Sequence, residues 1–239
     1  MINKNISVVT ITLNDEKGLT ETLNSLYRLK TKPGEIIVVD GGSVKLIIDN
    51  ILGKFSIKLP QLKIVSEHDK GIYDAMNKGH SLANGKLIHY LNSGDTVFGD
   101  PYFNLNTASL LPVQFLDEEG KKCGSDRLKL LGTAYNHQGV IFKYNHFSYN
   151  LKFNIAADYL CTLRSFPNGL SKLPLVNGGG VIYTLGGVST QKTVVGSVEM
   201  IIALVLSKPF YAMLLVPEII LKILTPQKVR RLILRNFRK

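Results

Sequence analysis

Acidic and glycine residues between Asp69 and Asp95 are the ones whose types and spacing bear most directly on chemistry. Asp69, Lys70 and Gly71 form a short loop before a helical pattern, and Asp95 ends the turn at residues 92–95, which follows a short apolar strand. In an open α/β sheet, ligands bind in the crevice beyond the carboxyl ends of the strands. A carboxylate there can hold a divalent cation and, through it, a phosphate. The segment therefore predicts chemistry on a phosphorylated ligand.

Strand and helix patterns alternate through the first 95 residues. Apolar, β-branched runs without polar alternation predict buried strands, and leucines at helical spacing predict the helices between them. The predicted strands cover residues 6–13, 35–39, 62–65 and 87–91, and the predicted helices cover about residues 19–27, 46–55 and 73–83. This alternation predicts an α/β fold with a mostly parallel sheet, which is a nucleotide-binding architecture.

The pattern weakens between residues 99 and 135, where Asn, Pro and Gly predict irregular structure with two edge strands. It recovers as a strand at residues 139–142 and as a helical stretch at residues 155–164, which contains Asp158. A further short strand is predicted at residues 181–185, between two groups of glycines.

Residues 198–224 are strongly apolar, but prolines and charged residues interrupt them, and a clean membrane span needs about 20 mostly apolar residues. The tail, residues 225–239, carries six Lys and Arg and no acid, so that without it the net charge falls from +11 to +5. Apolar helices followed by a basic tail favour attachment to a membrane surface. Soluble packing or an oligomer interface, and a true span, are the alternatives.

Two cysteines, Cys123 and Cys161, have no metal-ligand or CxxC spacing. They predict free thiols in a reducing compartment, with a disulfide as the weaker alternative. The first fifteen residues lack the pattern of a signal peptide. We therefore expect a cytoplasmic protein, peripheral at the inner face of the cell membrane.

Four motifs carry a resemblance to a known family: ISVVTITLND, EIIVVDGGS, SEHDKGIYDAMNKG and LNSGD, in that order. They resemble the inverting family 2 glycosyltransferases of the GT-A fold, and most of all the bacterial exopolysaccharide and colanic-acid type. The likeness covers residues 6 to about 190 and is strongest in the first 95. It implies a GT-A domain over residues 1–196, followed by a membrane-associating segment over residues 197–239.

The resemblance also implies a binding site for a nucleotide-sugar donor. The matching positions are Thr10, Asp40, Gly41, Asp69, Lys70, Gly71, Asp74, Asn77, Asn92 and Asp95. Thr10 and Asp40 would contact the nucleoside, and Lys70 would meet the diphosphate. The alternatives are a turn-capping role for Asp40 and a solvated surface position for Lys70.

The catalytic positions implied by the resemblance lie later in the chain. Asp95 would hold Mg²⁺ or Mn²⁺, unless it only closes its turn. Asp158 would be the catalytic base, unless it only caps a helix. His137 and Gln138 match a pair near the acceptor, although a single His is more often structural. Residues 186–189 (GGVS) match a loop near the site.

Three positions depart from the family pattern. Leu13 replaces the usual aromatic residue, Met76 replaces an arginine of the donor helix, and Asn92 stands where an aspartate is frequent. Asp95 is then the only carboxylate of its turn, which predicts modest, donor-dependent affinity for the cation. The departures leave the fold assignment intact and weaken any inference about the donor sugar.

The leading hypothesis is an enzyme that moves a sugar from a nucleotide-sugar to a glycan or polyprenyl-linked acceptor at the membrane. One alternative is a sugar-phosphate nucleotidyltransferase, which would need a basic, Gly-rich loop after the first strand. The sequence there, TLNDEKGL, is acidic with a single Gly. The other alternative is a non-enzymatic module that binds membranes or nucleic acid. Only Phe237 accompanies the basic residues of the tail, which argues against nucleic acid.

Overall fold

The computed structural model describes residues 1–117, 119–129, 134–184 and 193–224. The strands in these ranges are β1 (Ile2–Thr12), β2 (Lys32–Asp40), β3 (Leu62–Ser66), β4 (Leu87–Tyr90), β5 (Thr96–Gly99), β6 (Ser109–Leu110), β7 (Val113–Leu116), β8 (Lys122–Ser125), β9 (Val140–Lys143) and β10 (Gly179–Thr184). The α-helices are α1 (Glu16–Arg28), α2 (Lys45–Phe55), α3 (Ile72–Leu82), α4 (Ala157–Ser165), α5 (Thr193–Ser207) and α6 (Pro209–Leu224). Short 3₁₀ turns lie at His137–Gly139 and Leu170–Lys172.

The main sheet has six strands in the order β3-β2-β1-β4-β9-β6. The first four of these run parallel, and β9 and β6 add antiparallel pairs at one side. A second sheet has the order β5-β10-β7-β8. The prediction of an α/β fold with a mostly parallel sheet is therefore confirmed. The region between residues 99 and 135 contributes three short strands rather than two.

Alternation along β1 explains why helices cover both faces of the main sheet, because successive strand residues point to opposite faces. Val8 packs into the cluster that contains Leu19, Leu23 and Leu26 of α1. Its neighbour Val9 packs into the other cluster, with α3 and α4. Each such fully buried side chain stabilises the fold by about 1.5–3 kcal/mol.

Helix α3 lies unusually close to the centre of the sheet. A Cβ atom on Gly79 would lie 2.3 Å from Cγ1 of Val9, so only glycine allows this approach. The N-terminus of α3 is thereby held at the carboxyl ends of β1 and β4. Those strand ends are where the sequence predicts ligand binding.

Helix α5 packs against the main core and contains the predicted division between residues 196 and 197. Glu199 is only 9% exposed, and its carboxylate accepts hydrogen bonds from the backbone N–H groups of Asn154, Ile155 and Ala156. Ala203 and Leu204 of the same helix are fully buried in the main core. The predicted boundary therefore falls inside a packed helix.

The apolar C-terminal segment forms α5 and α6, two separate helices. Within the ranges that the structure describes, no helix has both the length and the hydropathy needed to cross a membrane. Both cysteines are free, as predicted, with Cys123 exposed and Cys161 buried. The basic tail from residue 225 and the predicted GGVS loop at residues 186–189 lie outside the described residues.

Candidate active site

A cavity of about 500 Å³ opens at the carboxyl ends of β1 and β4. This is the crevice where open α/β sheets bind their ligands. One side of its wall follows the two strands, with Thr12, Leu13, Asn92 and Ser93. The other side is built from the start of α3, the segment around the 3₁₀ turn, the start of α4 and the end of β10, with Gly71, Ile72, Asn136, His137, Gln138, Asn154, Ile155, Asp158 and Tyr183.

Asp158 reaches the cavity from the first turn of α4. Its Oδ1 accepts a hydrogen bond from Tyr159 N at 2.7 Å and lies 3.3 Å from the Tyr73 hydroxyl. Burial raises the pKa of Asp158 to about 6, against the lowering effect of these hydrogen bonds. A carboxyl of this pKa suits proton transfer near neutral pH.

The helix-capping alternative for Asp158 is wrong. The N-cap residue of α4 is Ala156, and no side chain makes a capping hydrogen bond there. Asp158 is instead the second residue of the helix, in contact with the cavity. Its position is therefore explained better by the cavity than by the helix end.

The donor loop is divided between the cavity and the surface. Asp69 and Gly71 line the cavity, and Asp69 Oδ1 accepts a hydrogen bond from Gly71 N at 2.8 Å. Gly41 makes room for Asp69, since a Cβ atom on Gly41 would lie 2.6 Å from Asp69 Oδ2. Gly41 therefore shapes the wall without being part of it.

Three residues predicted in the same donor site do not line the cavity. Lys70 is exposed and does not line the cavity, as the surface alternative requires. Asp74 accepts a hydrogen bond from Lys70 N at 3.0 Å. The Asn77 amide binds the backbone of Tyr149 through Nδ2 and Oδ1, at 2.9 and 2.8 Å. Asp74 and Asn77 thus hold the loop and the helix in place, and neither lines the cavity.

Thr10 and Asp40, which were predicted to contact the nucleoside, are not among the residues that line the cavity. Thr10 is fully buried in β1, and Thr12, on the same face of the strand, lines the cavity in its place. Asp40 is also fully buried, and its Oδ2 accepts hydrogen bonds from Gly42 N, Ser43 N and Ser66 Oγ. The capping alternative for Asp40 therefore describes the observed structure.

Asp95 is not among the residues that line the cavity, and its predicted contact with the donor stays a prediction. It is 5% exposed, and its Oδ1 accepts one long hydrogen bond, 3.4 Å from Thr184 N. Burial raises the pKa of Asp95 to about 8. The carboxyl is thus mostly protonated at neutral pH while no cation is bound.

Asn92 and Asp15 present oxygen atoms where the sequence placed the metal motif. Asn92 lines the cavity, and its Oδ1 is buried without a hydrogen-bond partner. Asp15 also lines the cavity; it caps α1 through Gly18 N and accepts a hydrogen bond from Ser93 Oγ at 2.7 Å. An unsatisfied buried oxygen is costly, so a ligand atom at Asn92 would remove that cost.

His137 and Gln138 are buried in the cavity wall, as expected for residues near a substrate. His137 Nε2 lies 2.8 Å from the Tyr149 hydroxyl, whereas its Nδ1 is buried without a partner. Burial lowers the pKa of His137 to about 3, so the ring stays neutral. The free Nδ1 can bind a substrate hydroxyl, while Gln138 accepts a hydrogen bond from His89 through its backbone oxygen.

The charge of the wall bears on how a diphosphate would bind. Among the described residues that line the cavity there are three carboxylates, Asp15, Asp69 and Asp158, and neither Lys nor Arg. No group of three or more His, Cys, Asp or Glu is placed to bind a metal in the part of the chain that the structure describes. Mg²⁺ at phosphate sites is held by one or two carboxylates plus phosphates and water. The few carboxylates of the cavity wall therefore fit a cation that binds together with a diphosphate.

Several wall residues were missed from sequence. Thr12 and Asp15 belong to the first motif, but the motif alone does not single them out as wall residues. Tyr135 and Asn136 precede His137 directly and could have been inferred from it. Asn154 and Tyr183 carry no motif, so only the fold reveals them.

Comparison with known proteins supports a single family. The profile described as "Glycosyl transferase family 2" matches residues 7–100. A "PGL/p-HBAD biosynthesis glycosyltransferase" of Mycobacterium bovis (strain BCG / Pasteur 1173P2) is 27% identical over 185 residues, 68% of this chain and 70% of that protein. A glycosyltransferase of Mycobacterium tuberculosis (strain ATCC 25618 / H37Rv) is 40% identical over 97 residues, 39% of this chain and 35% of the relative.

The fold matches crystal structures of S. aureus TarS. Residues 1–349 of TarS in complex with UDP-GlcNAc superpose with a TM-score of 0.63 at 18% identity, covering 85% of this chain and 67% of that one. Against the longer TarS chain the TM-score is 0.62, and this chain spans 40% of its length. The similarity establishes the GT-A type of α/β fold.

Proposed function

We propose that the chain is a family 2 glycosyltransferase, which transfers a sugar from a nucleotide-diphospho-sugar to an acceptor hydroxyl with inversion at the anomeric carbon. The observation that carries this proposal is Asp158, a carboxyl of raised pKa in a cavity at the carboxyl ends of parallel strands. The structural relative that binds UDP-GlcNAc supports a UDP-sugar as the donor.

Asp158 acts as the general base in this proposal. It takes the proton of the acceptor hydroxyl while that oxygen forms a bond to the anomeric carbon. The bond between the anomeric carbon and the diphosphate oxygen breaks on the opposite face, and the nucleotide diphosphate leaves with the electron pair. The base must be ionised, so the rate of transfer rises with pH through about 6.

Thr12, Leu13, Asp69 and Gly71 form the part of the wall that we assign to the donor. Asn92, Ser93 and Asp15 provide oxygen ligands for a divalent cation at the same edge. When bound, Mg²⁺ or Mn²⁺ neutralises charge on the diphosphate. The unpartnered Nδ1 of His137 is assigned to a hydroxyl of the donor sugar or the acceptor.

The acceptor side of the proposal is a glycan or polyprenyl-linked intermediate in bacterial surface polysaccharide synthesis, presented at a membrane. Several side chains of α5 and α6 are apolar and exposed, among them Phe210, Met213 and Leu214 at 83%, 77% and 68%. The sequence after α6 adds six basic residues. An exposed apolar face next to basic residues suits the surface of an anionic bilayer.

The variant Asp158→Asn tests the assignment of the base. Transfer from a UDP-sugar should fall by about 10²–10⁴-fold, because the amide cannot take the proton. Binding of UDP, measured by calorimetry with Mn²⁺ present, should be unchanged. Asp49→Asn, at an exposed position of α2, is the matched control and should keep full activity. Turnover by Asp158→Asn at the wild-type rate would remove Asp158 as the base.

A further inference from the structure

Glu199 of α5 holds the segment that leads into the base. Its Oε1 accepts a hydrogen bond from Asn154 N at 2.9 Å, and its Oε2 accepts from Ile155 N at 2.8 Å and Ala156 N at 2.9 Å. Although burial alone would raise it, these backbone hydrogen bonds lower the pKa of Glu199. The carboxylate is therefore ionised at neutral pH.

The three bonded N–H groups belong to the segment at residues 154–156, which we call the base loop. Asn154 and Ile155 line the cavity, and Ala156 is the N-cap of α4, two residues before Asp158. The first N–H groups of a helix have no partner within the helix. Here the Glu199 carboxylate of α5 accepts hydrogen bonds from N–H groups just before α4 and at its N-cap residue. Negative charge is also favoured at the N-terminus of a helix.

Two other contacts fix the same loop. The Tyr73 hydroxyl of α3 donates a hydrogen bond to the carbonyl oxygen of Ile155 at 2.5 Å. A Cβ atom on Gly196 would lie 2.9 Å from Cγ2 of Ile155, so glycine lets α5 approach the loop closely. The base loop is thus held from both sides: α3 donates a hydrogen bond to one of its carbonyl oxygens, and α5 accepts hydrogen bonds from its N–H groups.

We propose that Glu199 is a positioning residue for transfer, which holds the base loop so that Asp158 faces the acceptor hydroxyl. The inference rests on the proposed function, because it assigns a role relative to the base. It also gives α5 a part in catalysis that is separate from any contact with a membrane. A displacement of about 1 Å in a reacting group can reduce a rate by about 10²-fold.

The charge of Glu199 provides a readout that a purely structural role would not change. The titratable groups that act on Asp158 are Tyr73 of α3, Tyr149, Cys161 of α4 and Glu199 of α5. Of these, Glu199 is ionised at neutral pH, and its charge raises the pKa of Asp158. Removing that charge should move the acid limb of the rate profile to lower pH.

The test compares Glu199→Gln with wild type and with Glu21→Gln, a control at an exposed position of α1. In Glu199→Gln, kcat should fall about tenfold or more, the KM for the UDP-sugar should stay unchanged, and the acid limb should shift downward. Wild-type kcat together with an unshifted pH profile would overturn the inference, even if thermal stability fell.

Two further comparisons keep the result decisive. Should Glu199→Gln fail to fold, Gly196→Ala displaces α5 from Ile155 more gently, and an unchanged kcat in that variant would refute the role of α5. An active wild type with an unaffected Glu199→Gln overturns this inference alone. A wild-type protein that transfers no sugar from any UDP-, GDP- or dTDP-sugar would overturn the proposed function and the inference together.

Discussion

Asp95 is buried and Asp158 is partly buried, and burial raises the pKa of both carboxyls, but to different values. Asp158 lines the cavity with a pKa of about 6, so it is mostly ionised at neutral pH and can accept a proton. Asp95 has a pKa of about 8 and is mostly protonated before a cation binds. A cation that used Asp95 would first have to displace this proton, so its affinity would rise with pH.

The variant Asp95→Asn should change how stability depends on pH. The pKa of Asp95 is raised on folding, so its contribution is full below the unfolded pKa and is lost as pH rises through about 8. The wild-type free energy of unfolding should therefore fall by on the order of 3 kcal/mol more than that of the variant between pH 5 and pH 9.

Urea unfolding with a chelator present at both pH values measures this difference. Asp49→Asn is a suitable control, because Asp49 is an exposed carboxylate outside the cavity. Parallel stability curves for Asp95→Asn and wild type would contradict the argument. In the transfer assay, loss of the response to Mn²⁺ in the same variant would identify Asp95 as a cation ligand.

At the scale of elements, a buried glutamate joins the central strands to α3. Glu35 of β2 accepts hydrogen bonds from Ser7 Oγ of β1 at 2.6 Å and from Asn84 N, after α3, at 2.5 Å, and it pairs with Lys63 of β3 at 3.2 Å. Burial alone would raise the pKa of Glu35, but these hydrogen bonds hold it at about 2. The cluster ties four elements together at the end of the sheet away from the cavity.

The variant Glu35→Gln should destabilise the protein by about 2 kcal/mol at pH 7, because charge-assisted hydrogen bonds are lost. The pKa is lowered on folding, so the contribution is present above about pH 4.5 and disappears as pH falls toward 2. Thermal unfolding at pH 7 and pH 3 measures the difference. A gap between the two proteins that stays constant over this pH range would argue against the assignment.

The elements themselves were largely predictable, because β1 and β2 are continuous apolar runs and α1 has leucines at helical spacing. The contacts between elements were harder to predict. Thr10 and Thr12 share one face of β1, and the sequence alone does not say which of them lines the cavity. Asp40 matches a ligand motif and also a turn cap, and its hydrogen bonds are those of the turn cap. Glu199 lies more than 40 residues from the loop that it holds, so no local pattern could reveal it.

At the scale of the whole molecule, the apolar exposed side chains and the positive charge collect toward the C-terminus. Phe210 and Met213 of α6 are exposed, whereas Ala212 and Leu215 of the same helix are buried against the core. The helix therefore attaches to the domain by one face and leaves an apolar face outward.

Deletion of residues 226–239 should weaken binding to anionic vesicles by about tenfold or more, since each basic residue near such a surface contributes about 1 kcal/mol. Cosedimentation with phosphatidylglycerol vesicles, and with phosphatidylcholine vesicles as the neutral comparison, measures this. Full-length Phe210→Ser should bind both kinds of vesicle more weakly, because one exposed apolar side chain is removed. Equal sedimentation of the truncated and full-length proteins would refute a role of the tail in attachment.

The two thiols differ in exposure, so that the native chain can be labelled at a single cysteine. Cys161 is buried, donates a hydrogen bond to the Phe147 carbonyl at 2.9 Å, and has its pKa raised by burial to about 12. Such a thiol is inert toward maleimides at neutral pH. Cys123 is exposed on β8, outside the wall of the cavity. A fluorophore can therefore be attached at one place without any mutation, leaving the chemistry at the strand ends untouched while a donor or a vesicle binds.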